Sequence, residues 1–241
     1  MWARPAAGGR AVAALRLVAG ALLCWLGGTA HAAADPTPAH APQMQFVPPA
    51  PGSYQLQRIQ RAPDAVLVDA QYRQRRLANL TRDKVTLLTF FYTYCTDAWG
   101  CPFARQLMGG LREQLLARPQ AAGRVRFVSI SFDPTHDTPE VLRLHAGQVP
   151  ADSRLPWEFL TARGMRELLP LLDDLGQDVR VEYDDGGRPM RTINHMLKLF
   201  LIDRDGVVRE IYALDYLHPA TMLNDIETLL VEERRALGGG R

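Results

Sequence analysis

Cys95 and Cys101 are the residues whose type and spacing most directly offer chemistry, with five residues, 96–100, between them. A loop of that length lets the chain turn back and the two sulfurs approach. Two neighbouring thiols can form a disulfide in oxidising surroundings, or grip one soft metal ion as thiolates. Two solitary cysteines can also be buried apolar filler. Their position argues for reactivity. Cys95 follows the run Val85-Thr-Leu-Leu-Thr-Phe-Phe-Tyr92, nearly continuous in apolar residues and suited to a central strand buried on both faces. Cys101-Pro102 opens a helix in which Phe103, Leu107, Leu111 and Leu115 recur every fourth residue. The unpaired N–H groups at a helix start favour a thiolate, so Cys101 is expected to be the more acidic of the two if Cys95 is the more buried.

The elements that must position this pair alternate between strand and helix from about residue 56. Val125–Phe132 is a second strong strand, and Asp133-Pro-Thr-His-Asp-Thr-Pro139 turns the chain. Thr138 is the expected N-cap of a helix that begins at Pro139 and runs through His145. Trp157–Leu160 reads as a short strand, and 164–175 as a leucine-rich helix despite Pro170, stopped by Gly176. Val179–Tyr183 alternates before the turn Asp184–Gly187. His195–Ile202 and Val207–Ala213 flank Asp203-Arg-Asp-Gly206 and read as a hairpin. A last helix spans about 219–237. The fold class is therefore α/β: a thioredoxin-like sandwich with a central mixed sheet flanked by helices, and the cysteine site where the first long strand meets its helix.

At 241 residues the chain exceeds one ordinary domain, and the surplus lies at the N-terminus. Residues 1–34 hold Arg4, Arg10 and Arg16, no acid, the apolar core Leu17–Leu26 and a run of small residues ending at Ala34. This is the pattern of a secretory signal cleaved after Ala32 or Ala34, with a retained anchor as the alternative and the one route to a membrane. Cys24 lacks a small residue before it and reads as filler of that core. Without 1–34 the net charge moves from +2 to −1, so the basicity is largely targeting. An exported chain acts in the periplasm or on the outer face of the membrane. Residues 35–55 carry six prolines and read as an extended, poorly ordered tether in which His40 and Met44 are solvated. The domain is 56–241. The composition of the full chain, 47% hydrophobic and 22% charged, excludes a disordered chain, and the absence of a basic run on a helix argues against a nucleic-acid partner.

Several of these motifs together resemble one family. Thr89-Phe-Phe-Tyr-Thr-Tyr-Cys95, Cys101-Pro102, Ser129-Ile-Ser-Phe-Asp-Pro-Thr-His-Asp-Thr-Pro-Glu140, and Asn194-His195 followed by Leu199-Phe-Leu-Ile-Asp-Arg-Asp-Gly206 are similar, in order, to the motifs of the SCO/SenC proteins. These are thioredoxin-fold copper chaperones of cytochrome c oxidase assembly. The resemblance covers roughly residues 60–235. It departs in the cysteine loop, which has five intervening residues where the family has three.

The resemblance implies copper as the bound metal and Cys95, Cys101 and His195 as its ligands. The ligand chemistry agrees: two thiolates suit Cu(I), imidazole suits either oxidation state, and Cu(II) wants a fourth ligand such as water. Asp97 is available in the loop, although an Asx turn is its ordinary role. Structural zinc would need four protein ligands, and no second pair is spaced for it. His136 is expected to be exposed in its turn, His145 and His218 default to structural roles, and Met108 and Met196 default to the core. Asp133, Asp137 and Thr138 serve the turn and cap. Trp99 is expected to be partly exposed. The function implied is a periplasmic metallochaperone that delivers copper to cytochrome c oxidase or another cuproenzyme, with a thioredoxin-like electron donor as a further partner. The alternative is a thiol-disulfide reductase that keeps no metal. A peroxidase of the peroxiredoxin kind is disfavoured, since Tyr92 stands where its threonine would be.

Overall fold

The computed structural model describes residues 46–149 and 152–238. Residues 1–34 with Cys24, and His40 and Met44 of the proline-rich stretch, lie outside them. Ten strands and five helices occur among the described residues. The strands are β1 (Gln60–Arg61), β2 (Val66–Asp69), β3 (Gln74–Arg76), β4 (Val85–Phe91), β5 (Val125–Ser131), β6 (Trp157–Thr161), β7 (Val179–Tyr183), β8 (Pro189–His195), β9 (Lys198–Ile202) and β10 (Val207–Ala213). The helices are α1 (Leu77–Leu80), α2 (Cys101–Leu116), α3 (Pro139–Ala146), α4 (Met165–Asp174) and α5 (Pro219–Gly238).

Eight strands form one mixed sheet in the order β1-β10-β9-β4-β5-β6-β2-β3. β4 lies at its centre, parallel to β5 and antiparallel to β9. All seven β4 residues are buried, the expected result for an apolar strand covered by helices on both faces. Thr86 and Thr89 sit there without cost because each hydroxyl donates to a backbone carbonyl, Leu80 at 3.0 Å and Lys198 at 3.0 Å. The β9–β10 hairpin slips register between Val208 and Glu210. At that slip Arg209 turns inward and pairs with Asp203 (3.1 Å) and Glu232 of α5 (3.0 Å).

Three readings of the sequence are corrected. The hairpin strand begins at Lys198, not His195. His195 instead ends β8, which pairs only with β7 in a separate two-stranded ribbon. The polar run Pro-Met-Arg-Thr-Ile-Asn-His lacks the apolar alternation that marks a strand. Thr138 occupies the N-cap of α3 but makes no capping bond, and its hydroxyl donates to Glu140 Oε2 at 2.9 Å. The later part of the proline-rich stretch is fastened to α5. Asn224 Nδ2 donates to the Pro49 carbonyl (2.8 Å), the Gly52 N–H to Thr228 Oγ1 (2.9 Å), and the Tyr54 hydroxyl to Asp225 (2.5 Å). Gly52 is required at this contact: its φ is +75°, and a Cβ there would stand 2.9 Å from Val231 Cγ1.

Candidate metal-binding and redox site

The site begins where β4 ends. Tyr92 continues the strand, and two buried acids from the turn after β5 seize the segment that follows. Asp137 accepts from the Thr93 N–H (3.1 Å), the Thr93 hydroxyl (2.5 Å) and the Ser131 hydroxyl (2.5 Å). Asp133 accepts from the Tyr94 hydroxyl and lies 2.7 Å from His136 Nδ1. The motif read as a turn and cap therefore has a second task, holding the backbone just before Cys95. Burial raises the Asp137 carboxyl above its ordinary range even with these donors around it.

From Cys95 the loop closes through a tight turn. The Gly100 N–H donates to the Asp97 carbonyl (3.0 Å), and the Trp99 N–H to Asp97 Oδ1 (3.0 Å). Asp97 thus makes the expected Asx turn. Gly100 caps α2 without a side chain, and the reason is spatial: a Cβ there would lie 3.3 Å from Cys95 Sγ and 3.3 Å from Asp97 Oδ2. Trp99 is 40% exposed and packs on Phe103, ring centroids 5.8 Å apart.

The five-residue loop brings the sulfurs together. Both cysteines are free thiols, hydrogen-bonded to each other through their side chains. Cys95 Sγ, half-buried, takes the Cys101 thiol, the backbone N–H groups of Cys101 and Asp97, and the Tyr92 hydroxyl. The Cys101 contact leads in lowering its pKa to about 5. Cys101 is only 8% exposed, and the sulfur beside it, then burial, drive its pKa up. The order of acidity expected for a more buried Cys95 is reversed, because Cys95 is the more exposed of the two. The first N–H of α2 points backward, out of the helix, at the residue folded over its end, and that residue is Cys95.

His195 stands at the end of β8. Its Nδ1 lies 3.1 Å from the Ile193 carbonyl, which requires the proton on Nδ1 and leaves the Nε2 lone pair bare. Nε2 is buried and has no hydrogen-bond partner. The ring packs edge-to-face on Phe132 (4.7 Å) and Tyr92 (5.8 Å). Tyr92 therefore touches both halves of the site, its hydroxyl on Cys95 and its ring against His195. Its hydroxyl is driven to high pKa, first by burial and next by Cys95. Read from the sequence, Tyr92 only disfavours a peroxidase and is not placed in the site, though an aromatic three residues before a reactive cysteine was the signal available. Among the described residues no three His, Cys, Asp or Glu side chains converge as a ready-made metal site. The two cysteines meet, and His195 keeps its own place across Tyr92. Two sulfurs and a bare imidazole nitrogen are donors for a soft or borderline ion.

The remaining candidates divide. His145 stacks on Phe91 at 5.0 Å, and burial, then the Arg105 charge, push its pKa down to about 4. The His218 carbonyl accepts the Met222 N–H at 3.0 Å, a structural role at the start of α5. Met108 is core as expected, fully buried. Met196 is not: it is 60% exposed, because it follows the ribbon rather than lying within a sheet strand.

Comparison with known proteins places this geometry. The SCO1/SenC family model matches residues 64–231. Comparison with curated proteins finds no match. Among solved structures, Bradyrhizobium japonicum ScoI with copper bound is 21% identical, with a TM-score of 0.54 over 68% of this chain and 97% of its own. Arabidopsis thaliana ScoI with copper bound is 16% identical, with a TM-score of 0.57 over 71% of this chain and 98% of its own. BsSco, a member of the Sco family of cytochrome c oxidase assembly proteins in which a disulfide switch was identified, is 23% identical, with a TM-score of 0.54 over 71% of this chain and 94% of its own. At such identities the likeness is one of fold, the thioredoxin-like arrangement of a mixed sheet flanked by helices. The family match spans more than half of the sequence, and the chain belongs to the SCO1/SenC family.

Proposed function

We propose that this chain is an extracytoplasmic copper-binding metallochaperone that delivers copper to, or matures the copper site of, cytochrome c oxidase or another cuproenzyme. Cys95, Cys101 and His195 are its ligands. The observation that carries this reading is the orphaned His195 Nε2, buried and bare, held across one aromatic ring from a pair of touching thiols. A buried polar atom without a partner is costly, and a bound ion is one thing that offsets the cost. Two relatives in this family hold copper, and one belongs to cytochrome c oxidase assembly. Exposed Trp99 is available as an aromatic anchor for the recipient protein. The sequence of residues 1–34 supports export to the periplasm, and no helix among the described residues is long and apolar enough to cross a membrane.

The chain's own residues prepare the pair. Asp133 and Asp137 fix the backbone ahead of Cys95, and the start of α2 holds Cys95 as a thiolate at neutral pH. Exchange with a partner's disulfide would join the sulfurs, the two electrons and the remaining thiol proton leaving with that partner as its dithiol, and would withdraw both thiolates from the metal. A thioredoxin-like partner would reverse this by exchange, its own dithiol ending as a disulfide. The acidity of Cys95 favours the second reading, a thiol-disulfide reductase acting without metal. Metal analysis separates the two. Reduced protein purified with copper should hold one ion per chain under a competing chelator, and Cys95→Ser/Cys101→Ser/His195→Ala should hold none. A triple variant that retains copper as well as the native chain contradicts the assignment.

A further inference from the structure

Behind Cys101 lies a half-buried cation, its Nη1 fully buried, that the site described so far does not use. Arg105 is one helical turn beyond Cys101 on α2, so the two side chains share a face. Both line a small cavity of about 20 Å³, closed by Thr89, Ser129, His145 and Trp157. The guanidinium sits over the rings of Trp157 (5.8 Å) and Phe159 (5.4 Å). Its Nη1 is buried with no hydrogen-bond partner. No acid is ion-paired with it among the described residues, and His145, the titratable neighbour from α3, is held neutral. The cavity has room for about one water, which can relieve the orphan N–H but not the charge. Aromatic faces offset part of the cost of an unpaired buried cation, and a full negative charge offsets far more.

We propose that Arg105 is an oxidation-state selector for copper at Cys95 and Cys101, an inference that rests on the copper reading above. The argument is a charge count. Cu(I) with two thiolates and a neutral imidazole carries a net charge of −1, and Cu(II) with the same ligands carries none. A half-buried positive charge one turn from a ligand sulfur stabilises the first and not the second, and its field is screened less than that of a charge in open water. Arg105 thereby biases the site toward Cu(I). It is a positioning charge and not a ligand.

The test compares the wild-type chain with Arg105→Met, Arg105→Gln and Arg105→Lys, all reduced. Cu(I) affinity is read by competition with bicinchoninate, and Cu(II) affinity by competition with glycine. The neutral variants should weaken Cu(I) binding about tenfold or more and change Cu(II) binding by less than about threefold. The Cu(II)/Cu(I) potential should fall with the ratio, by about 59 mV for each factor of ten. Arg105→Lys, which keeps the charge, should hold the ratio within about threefold of wild type. Arg105→Gln serves if Arg105→Met does not fold. Equal weakening of both ions in the neutral variants overturns the inference and leaves the copper reading standing. So does a lysine variant that follows the neutral ones. A wild-type chain that binds neither ion overturns both.

Discussion

The two halves of the site are built differently. The sulfur half grows from the centre of the eight-stranded sheet: β4 leads into it, and Asp133 and Asp137 fasten Thr93 and Tyr94. The imidazole half hangs on the two-stranded β7–β8 ribbon, whose Val181, Tyr183 and Met190 are exposed. It is held at its base by Gln177, which donates to the Met196 carbonyl at 2.9 Å, and by Ile193 and Leu197 in the core. The sulfur half is thus preformed, and the imidazole half is a separate arm whose nitrogen awaits a partner. The comparison teaches that copper affinity should reside mainly in the thiols, and that His195 should close the site.

The sharpest way to break that contrast is to remove one donor from each half. Cys95→Ser or Cys101→Ser should lower Cu(I) affinity by about a thousandfold or more, since a thiolate is replaced by a hard, neutral hydroxyl. His195→Ala should lower it by about ten- to a hundredfold, no more than the loss of a residue that supports a metal ligand from behind costs, since both thiolates remain. Chelator competition measures both. Equal losses would show that the halves act as one preformed cluster.

The clamp on the sulfur half can be broken without touching a ligand. Asp137→Ala leaves the Thr93 N–H and the Thr93 and Ser131 hydroxyls without their buried acceptor. It should cost about 3 kcal/mol in urea unfolding, and Cu(I) affinity should fall with it. The same substitution costing under about 0.5 kcal/mol would mean that the bonds do not hold the loop.

Acidity tests the inner order of the sulfur half. Cys95 has its pKa lowered to about 5, so its thiolate persists from neutral pH down to that value, whereas an unperturbed thiol protonates below about 8.5. Alkylation of reduced protein by iodoacetamide should therefore label Cys95 first and slow with a midpoint near 5. The linkage has a sign. A depressed folded-state pKa adds stability above the unfolded value, and that contribution is lost as pH falls through the folded one. The thiolate's share of stability should accordingly fade between about 8.5 and 5. Labelling of Cys101 first would restore the order expected from the sequence.

The smallest expected effect is at Gly100. Its φ is −91°, so alanine is not strained there, but the new methyl would press on Cys95 Sγ from 3.3 Å. Gly100→Ala should raise the alkylation midpoint and weaken Cu(I) binding by about threefold, at a stability cost under about 1 kcal/mol.

Much of the sulfur half was legible in the sequence, because its carriers have strong patterns. β4 and β5 are apolar runs, α2 repeats an apolar residue every fourth position, and Pro102 and Pro139 mark helix starts. The imidazole half was legible only as a residue. His195 was found through its resemblance to a family motif, while its strand was hidden, since β8 is polar and pairs with an exposed partner. The edge strands β1 and β3 escaped for the same reason: Gln60-Arg61 and Gln74-Arg-Arg76 show no apolar alternation. Two further features needed three dimensions. The reach of Asp133 and Asp137 to Thr93 and Tyr94 spans about forty residues of sequence, 39 and 44 positions. The reversed acidity depends on which sulfur folds over the start of α2, a matter of loop path rather than of residue type.

The central claim is that one pair of sulfurs is both the copper grip and the redox switch. Copper loading of the chain before and after oxidation tests it most directly. Oxidation should join Cys95 to Cys101, seen as a mass loss of about two hydrogens, and tight uptake of one copper per chain should vanish and return on reduction. Equal, tight uptake by the oxidised chain with the disulfide intact would contradict the account, because a disulfide has no thiolate to offer a metal.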